Sequence, residues 1–312
     1  MADATFSAPR FHDDEAARKH LEDIRWPNGP VCPHCGGTER NSALNGKAHR
    51  PGLYFCGDCR SQFTVTVGTV FEDSKIPLHK WVLATHLLCS SKKGMSAHQL
   101  HRTIGITYKS AWFMAHRIRK AMEARSMEPM GGSGKIVEAD ETYWGTNAVG
   151  KRNKRVGRRI TGGAEKMKIV SLIERGGKSR SFQVPNVNAR NLAPILRGQI
   201  APETHLMTDE ARAYITIGKE FRKHSTVTHG QGEYARGIAH VNTAESFFNI
   251  LKRGLIGTYH HVGEQHLQRY VSEFDFRYNT RTKLGVTDAQ RTDAALKGIS
   301  GKRLTYRRTH AQ

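Results

Sequence analysis

Three carboxylates stand where apolar segments run out into polar ones, and they could share a divalent cation. Asp140 closes the run "KIVEAD", Asp209 closes "HLMTD", and Glu245 lies in "HVNTAESFFNILKRGLIGTYHH", with 35 residues between it and Asp209. Carboxylates drawn together repel and raise one another's pKa, so such a cluster persists where something positive sits among them. Hard oxygen ligands with open positions suit Mg²⁺ or Mn²⁺. Two such ions about 4 Å apart can activate a water and stabilise a leaving oxygen at a phosphodiester. For Glu245 taken by itself a plainer role competes. Asn242 as helix cap with Glu245 at the third helical position would make a capping box. Glu138 shares a strand face with Asp140 but lies deeper, which suits a supporting or structural role. Glu141 and Glu210 are expected to point away from their aspartate neighbours.

A second constellation is made of sulfur. Cys32 and Cys35 form one CxxC pair and Cys56 and Cys59 another, with 20 residues between the pairs. Four soft thiolates at this spacing suit one tetrahedral structural Zn²⁺, in a zinc ribbon. Tyr54 before the second pair, and Phe63, Val65 and Val67 after it, alternate as strand residues do. Cys89 belongs to the apolar pattern of a helix and is expected to be a buried thiol.

The elements that must position these groups are legible in outline. Residues 1–27 form an N-terminal helical segment and 28–74 the ribbon. Residues 75–125 read as three helices. Ser96 with Gln99 starts the second, Gly105 ends it and Thr107 caps the third. The last two resemble a helix-turn-helix whose final helix offers Lys109 and Arg117 to DNA. Residues 126–134 are a linker. From 135 to 295 the order is three strands, helix, strand, helix, strand, helix, that of a ribonuclease-H-like α/β domain in which the first and fourth strands are neighbours. Within it a loop at 146–163 carries Lys151, Arg152, Lys154, Arg155, Arg158 and Arg159 with no acid, as expected of a phosphate-backbone contact. Pro194 must sit in the first turn of its helix or kink it. Residues 296–312 are a basic tail.

Forty-nine Lys and Arg against 28 Asp and Glu give a net charge of +21 and a pI near 10.0. Such a field attracts polyanions. No apolar run approaches the roughly 20 residues of a spanning helix, and the first 25 residues lack the apolar core of a signal peptide. A cytoplasmic protein whose polyanion is nucleic acid is therefore expected.

The segments "VEADETYWG", "MTDEARAY", "HVNTAESFFNILKRGLIGTYHHV" and "EFDFRYNTR" together resemble bacterial DDE insertion-sequence transposases of the ISXO type, related to the Merlin transposons, with an N-terminal zinc ribbon. The resemblance implies a DNA transposase in which Asp140, Asp209 and Glu245 hold two Mg²⁺ or Mn²⁺ ions. It would free 3′-hydroxyls at double-stranded element ends, join them to target DNA, and work at least as a dimer. It also implies an end-DNA contact for Lys252, seven residues after Glu245 on the same helical face. His240 is a further candidate DNA contact. Some relatives place asparagine third, and Asn242 and Asn249 lie nearby; the stronger affinity of a carboxylate for Mg²⁺ favours Glu245. The rival readings are a DNA-binding regulator on an inactive scaffold, which has no need of three carboxylates, and a junction-resolving nuclease.

Overall fold

The structure, a computed structural model, describes residues 5–124, 128–145, 166–233 and 235–305. The chain divides into two compact units, Met1–Glu123 with Thr280–Gln312, and Ala124–Asn279.

In the first unit, α1 (Asp14–Arg25) is capped by Asp13, whose carboxylate accepts from Ala16 N. The ribbon is a three-stranded antiparallel sheet of β1 (Asn41–Ala43), β2 (Tyr54–Cys56) and β3 (Gln62–Phe63). The third strand is shorter than the alternation of Phe63, Val65 and Val67 suggests. Val67 N donates to Thr64 O and Thr69 N to Thr66 O, so turns replace the ladder. The three expected helices follow as α2 (Leu78–Ser90), α3 (Ala97–Ile104) and α4 (Tyr108–Met122). Ser96 and Thr107 cap α3 and α4, and Gly105 ends α3 at φ 62°, where a side chain would be strained. Ala111, Ala115, Ile118 and Met122 form the buried stripe of α4, and Cys89 is buried in α2.

This unit also takes back the end of the chain. A further helix, α9 (Asp288–Lys297), begins with a Thr287–Gln290 capping box and packs against α2. Its Arg291 donates to Cys89 O, and Thr292 Oγ1 lies 2.9 Å from His86 Nδ1. The compact division thus falls after Asn279 rather than at 295, because Ala295, Leu296 and Ile299 are buried among these helices.

The second unit is built on a mixed sheet of five strands: β4 (Ile136–Trp144), β5 (Met167–Glu174), β6 (Ser179–Val184), β7 (His205–Thr208) and β8 (Lys223–Thr226). Their order is β6-β5-β4-β7-β8. The pairs β4–β5 and β5–β6 are antiparallel, while β4–β7 and β7–β8 are parallel. One face carries α5 (Ala189–Gln199) and α6 (Arg212–Gly218), sealed by Val137, Ala139, Leu172, Leu192, Leu206 and Tyr214. Pro194 lies inside α5 beyond its first turn. The other face carries α7 (Asn242–Gly254) and α8 (Glu264–Asn279). The stripe foreseen on α7 is buried there: Ala244, Phe247, Phe248, Leu251 and Leu255. Each of the larger side chains stabilises by about 1.5–3 kcal/mol when fully buried, which seats the helix firmly on the sheet. A π-helical turn, Leu255–Tyr259, follows α7.

Candidate metal centre

β4 outruns its neighbour. It stays paired with β5 as far as Trp144, whereas its parallel pairing with β7 ends at Glu138 opposite Met207. Extending that register by two residues brings Asp140 level with Asp209, the first residue beyond β7. Asp140 is therefore mid-strand rather than at a strand end, but it sits where the sheet has an open edge. There Asp140, Glu141 and Asp209 each present a carboxylate oxygen, all within 4.8 Å of one another.

Glu141 thus joins the cluster it was expected to leave. Alternation does put Asp140 on the α7 face and Glu141 on the α6 face, but at an edge with no neighbouring strand both faces reach the same space. The Glu141 N–H donates to Asp140 Oδ1 at 2.7 Å, and the hydroxyl of fully buried Tyr214 donates to Glu141 Oε2 at 2.8 Å. Burial pushes Asp140 up to about 7, and the charges of Glu141, Asp209 and Glu245 push the same way. Burial, then Asp209, pushes Glu141 up to about 7. Among the described residues neither Asp140 nor Glu141 has an ion-pair partner. Oxygen donors this close, held against their own repulsion, fit a divalent cation. Glu245 is half-buried on α7, near enough for its charge to act on Asp140 but outside the three-oxygen group.

Glu138 decides the capping question. α7 starts after Val241, with no side-chain cap from its own segment, and Asn242 is its exposed first residue. The orphan N–H groups of Thr243 and Ala244 donate instead to Glu138 Oε2 at 2.8 and 3.0 Å, and Thr243 Oγ1 donates to Oε1 at 2.9 Å. Arg175 Nε donates to the same carboxylate at 2.6 Å. A buried strand residue therefore caps the helix from outside, and the capping box of Asn242 and Glu245 is not formed. The Glu245 carboxylate takes no part in the cap, and its N–H makes an ordinary helical bond to Val241 O. His240 belongs to this network too, its Nδ1 3.0 Å from Arg175 Nη2 and its carbonyl accepting from the same nitrogen.

Four sulfurs make the second centre. Cys32 and Cys59 are 3.6 Å apart, as are Cys35 and Cys56, and all four Sγ lie within 4.8 Å. A tetrahedron with Zn–S of about 2.3 Å has edges near 3.8 Å, so the donor set fits zinc. None is in a disulfide. Bonding from Ser61 pulls the Cys59 thiol down to about 6, whereas Cys35, despite the Gly37 N–H, is pushed up to about 12 by burial and the three other sulfurs.

The candidate DNA contacts fare differently. Lys252 is exposed on α7 and Lys109 on α4. Arg117 is turned inward. It donates to Glu72 O and Leu304 O and lies over the Phe113 ring at 4.8 Å, so packing accounts for it. Lys151, Arg152, Lys154, Arg155, Arg158 and Arg159 lie outside the described residues. Among the described residues no helix is long and apolar enough to cross a membrane.

Sequence comparison adds an independent line. Residues 131–279 match the ISXO2-like transposase domain, and residues 12–62 match a transposase zinc-ribbon domain. A Halobacterium salinarum protein described as an uncharacterized protein in transposable element ISH50 is 29% identical over 287 residues, covering 88% of this chain and 94% of that one. An uncharacterized transposase-like protein of Haemophilus influenzae is 28% identical over 96 residues, covering 31% of this chain and 76% of its own. The solved Mos1 strand transfer complex overlaps 64% of this chain and 76% of that chain at 11% identity, with a TM-score of 0.22.

Proposed function

We propose that this chain, which belongs to the ISXO2-like transposase family, cuts DNA at the ends of its insertion sequence and joins the freed 3′-hydroxyls to target DNA. Membership makes it a DNA transposase; the chemical steps and the residue roles are our reading. The observation that carries it is the meeting of Asp140 and Asp209 at the open sheet edge, with the Glu245 charge acting on Asp140. We read the strand order, three antiparallel strands with two more parallel to the first, as that of a ribonuclease-H-like domain.

In this reading Asp140, Asp209 and Glu245 would hold two Mg²⁺ or Mn²⁺ ions. The ions supply activation of the attacking oxygen and stabilisation of the leaving one. The chain's own residues do the positioning. β4 and the end of β7 bring two carboxylates level, and Glu138 anchors the start of α7, the helix that carries Glu245. Lys252, two helical turns on and exposed, takes an end-DNA phosphate. Cys32, Cys35, Cys56 and Cys59 hold a structural zinc, and the ribbon with α3 and α4 engages the inverted repeats through Lys109 and its neighbours. His240, tied to Arg175, supports Glu138 before any contact with DNA. The basic loop adds affinity for any sequence. Joining two ends requires at least two copies of the chain, and DNA as substrate puts the protein in the cytoplasm with the nucleoid.

The test is Mn²⁺-dependent strand transfer with oligonucleotides carrying the element's inverted repeats. Asp140→Asn, Asp209→Asn and Glu245→Gln should each abolish cleavage and joining while end binding persists. Cleavage without joining in the wild type would favour the nuclease reading, and a fully active Glu245→Gln enzyme would remove Glu245 from the ligand set.

A further inference from the structure

We propose that Glu141 is a fourth carboxylate of the metal centre, reaching it from the face of β4 opposite to Glu245 and steered by the Tyr214 hydroxyl. The inference rests on the reading of Asp140, Asp209 and Glu245 as cation ligands. Its first support is geometric: Glu141, and not Glu245, shares the group of oxygens that lie within 4.8 Å of one another with Asp140 and Asp209. The open edge of β4 beyond Glu138 makes this possible, because no strand stands between its two faces there. Its second support is what Glu141 is not used for. Glu138 is consumed by Arg175 and the start of α7, and Glu210 Oε1 accepts from Gly230 N. Glu141 has no described cation partner and caps no helix.

Its third support is Tyr214, which is fully buried on α6 just beyond Asp209. A buried tyrosine hydroxyl needs a partner, and this one spends its proton on Glu141 Oε2. A neutral donor fixes the direction of a carboxylate without cancelling its charge, as the groups behind metal ligands commonly do. Oε1 is then left for the cation. The centre would be gripped from both sides of the sheet, Glu141 from the α6 face and Glu245 from the α7 face, with Asp140 and Asp209 between them. Tyr214 acts through Glu141 and is a positioning residue.

The experiment measures Mn²⁺ binding to the full-length protein by titration calorimetry, together with melting of the metal-free protein. Glu141→Gln should weaken binding about tenfold or more, and Tyr214→Phe should weaken it severalfold. The metal-free Glu141→Gln protein should melt at or above the wild-type temperature, because one of several crowded negative charges is gone. Asp209→Asn and Glu245→Gln report on the underlying reading. If Asp209→Asn loses Mn²⁺ while Glu141→Gln binds as the wild type does, the proposal is overturned and the reading stands. If Asp209→Asn and Glu245→Gln both bind like the wild type, the reading falls and the proposal with it. A Glu141→Gln protein that melts lower yet keeps its affinity would mark Glu141 as structural and overturn the proposal. Unchanged affinity in Tyr214→Phe would overturn the steering role.

Discussion

Glu138→Ala should destabilise this protein far more than a change at Asn242, the first residue of the helix it caps. The carboxylate is fully buried and takes four donated bonds: from Arg175 Nε, Thr243 N, Thr243 Oγ1 and Ala244 N. Removing one partner of a buried ion pair costs about 3–5 kcal/mol. The Arg175 side chain is 21% exposed and can recruit water, so the lower end applies, about 3 kcal/mol. Leaving the first turn of α7 uncapped adds about 1 kcal/mol. The sum is about 4 kcal/mol, which for a unit of this size lowers the melting temperature by roughly 8–16 °C. Glu138→Gln keeps an acceptor oxygen for part of the network and should fall between the wild type and Glu138→Ala. Asn242→Ala is the contrasting variant. A true capping residue would cost about 1 kcal/mol there, whereas an exposed first helical residue with no capping bond should cost close to nothing. Thermal melting of the metal-free variants decides. A Glu138→Ala protein that melts within about 2 °C of the wild type, or an Asn242→Ala protein that melts as low as Glu138→Ala, would refute the external cap.

Acidity gives a second expectation. Asp140 and Glu141 stand at about 7 in the folded chain, well above their ordinary values, so the folded state holds protons that the unfolded chain releases near pH 4. Their favourable contribution is complete below about pH 4 and is lost as the pH rises through about 7. Buried Asp275, raised to about 6, acts in the same direction. The melting temperature of the metal-free protein should therefore fall between about pH 5 and pH 8, less steeply in Asp140→Asn, and saturating Mn²⁺ should remove most of the decline; a flat profile in the metal-free wild type would contradict this. The purified chain should carry one zinc, and Cys56→Ser should lose it and loosen the N-terminal region; elemental analysis showing no zinc in the wild type would dismiss the ribbon site. Arg117→Ala should cost about 2 kcal/mol of stability through its lost carbonyl bonds and leave the salt dependence of DNA binding unchanged. By contrast, the fourfold change of Lys154, Arg155, Arg158 and Arg159 to alanine should flatten the plot of log affinity against log salt, and an unchanged slope would clear that loop of phosphate contacts.

The difference between what was legible and what was not runs through the acids around β4. The apolar period of α7, the caps of α3 and α4, the two CxxC pairs and the strand "MKIVSLIE" are local patterns, and each reappears within a residue or two of where its pattern puts it. Glu138, Asp140 and Glu141 are close to identical as local signals, three acids in one strand. What separates them is non-local. Glu138 lies where β4 is still flanked by β7, so it is enclosed and must be matched by Arg175 and the start of α7. Asp140 and Glu141 lie two and three residues further, where β7 has already ended. Period-2 alternation assigns them to opposite faces and is correct in doing so. It fails as a guide to distance, because faces are separate only while a strand has neighbours on both sides. The length of β4 relative to β7 is set by a pairing across some 70 residues of chain, and no window of sequence contains it. The cap of α7 was hidden for the same reason. "HVNTAE" supplies a plausible local cap in Asn242, yet a buried carboxylate one strand away already takes the orphan N–H groups, and Glu245 is released from that duty. One strand thus divides its acids by enclosure: the flanked one holds a helix in place, and the unflanked pair is left beside Asp209 with no described cation partner.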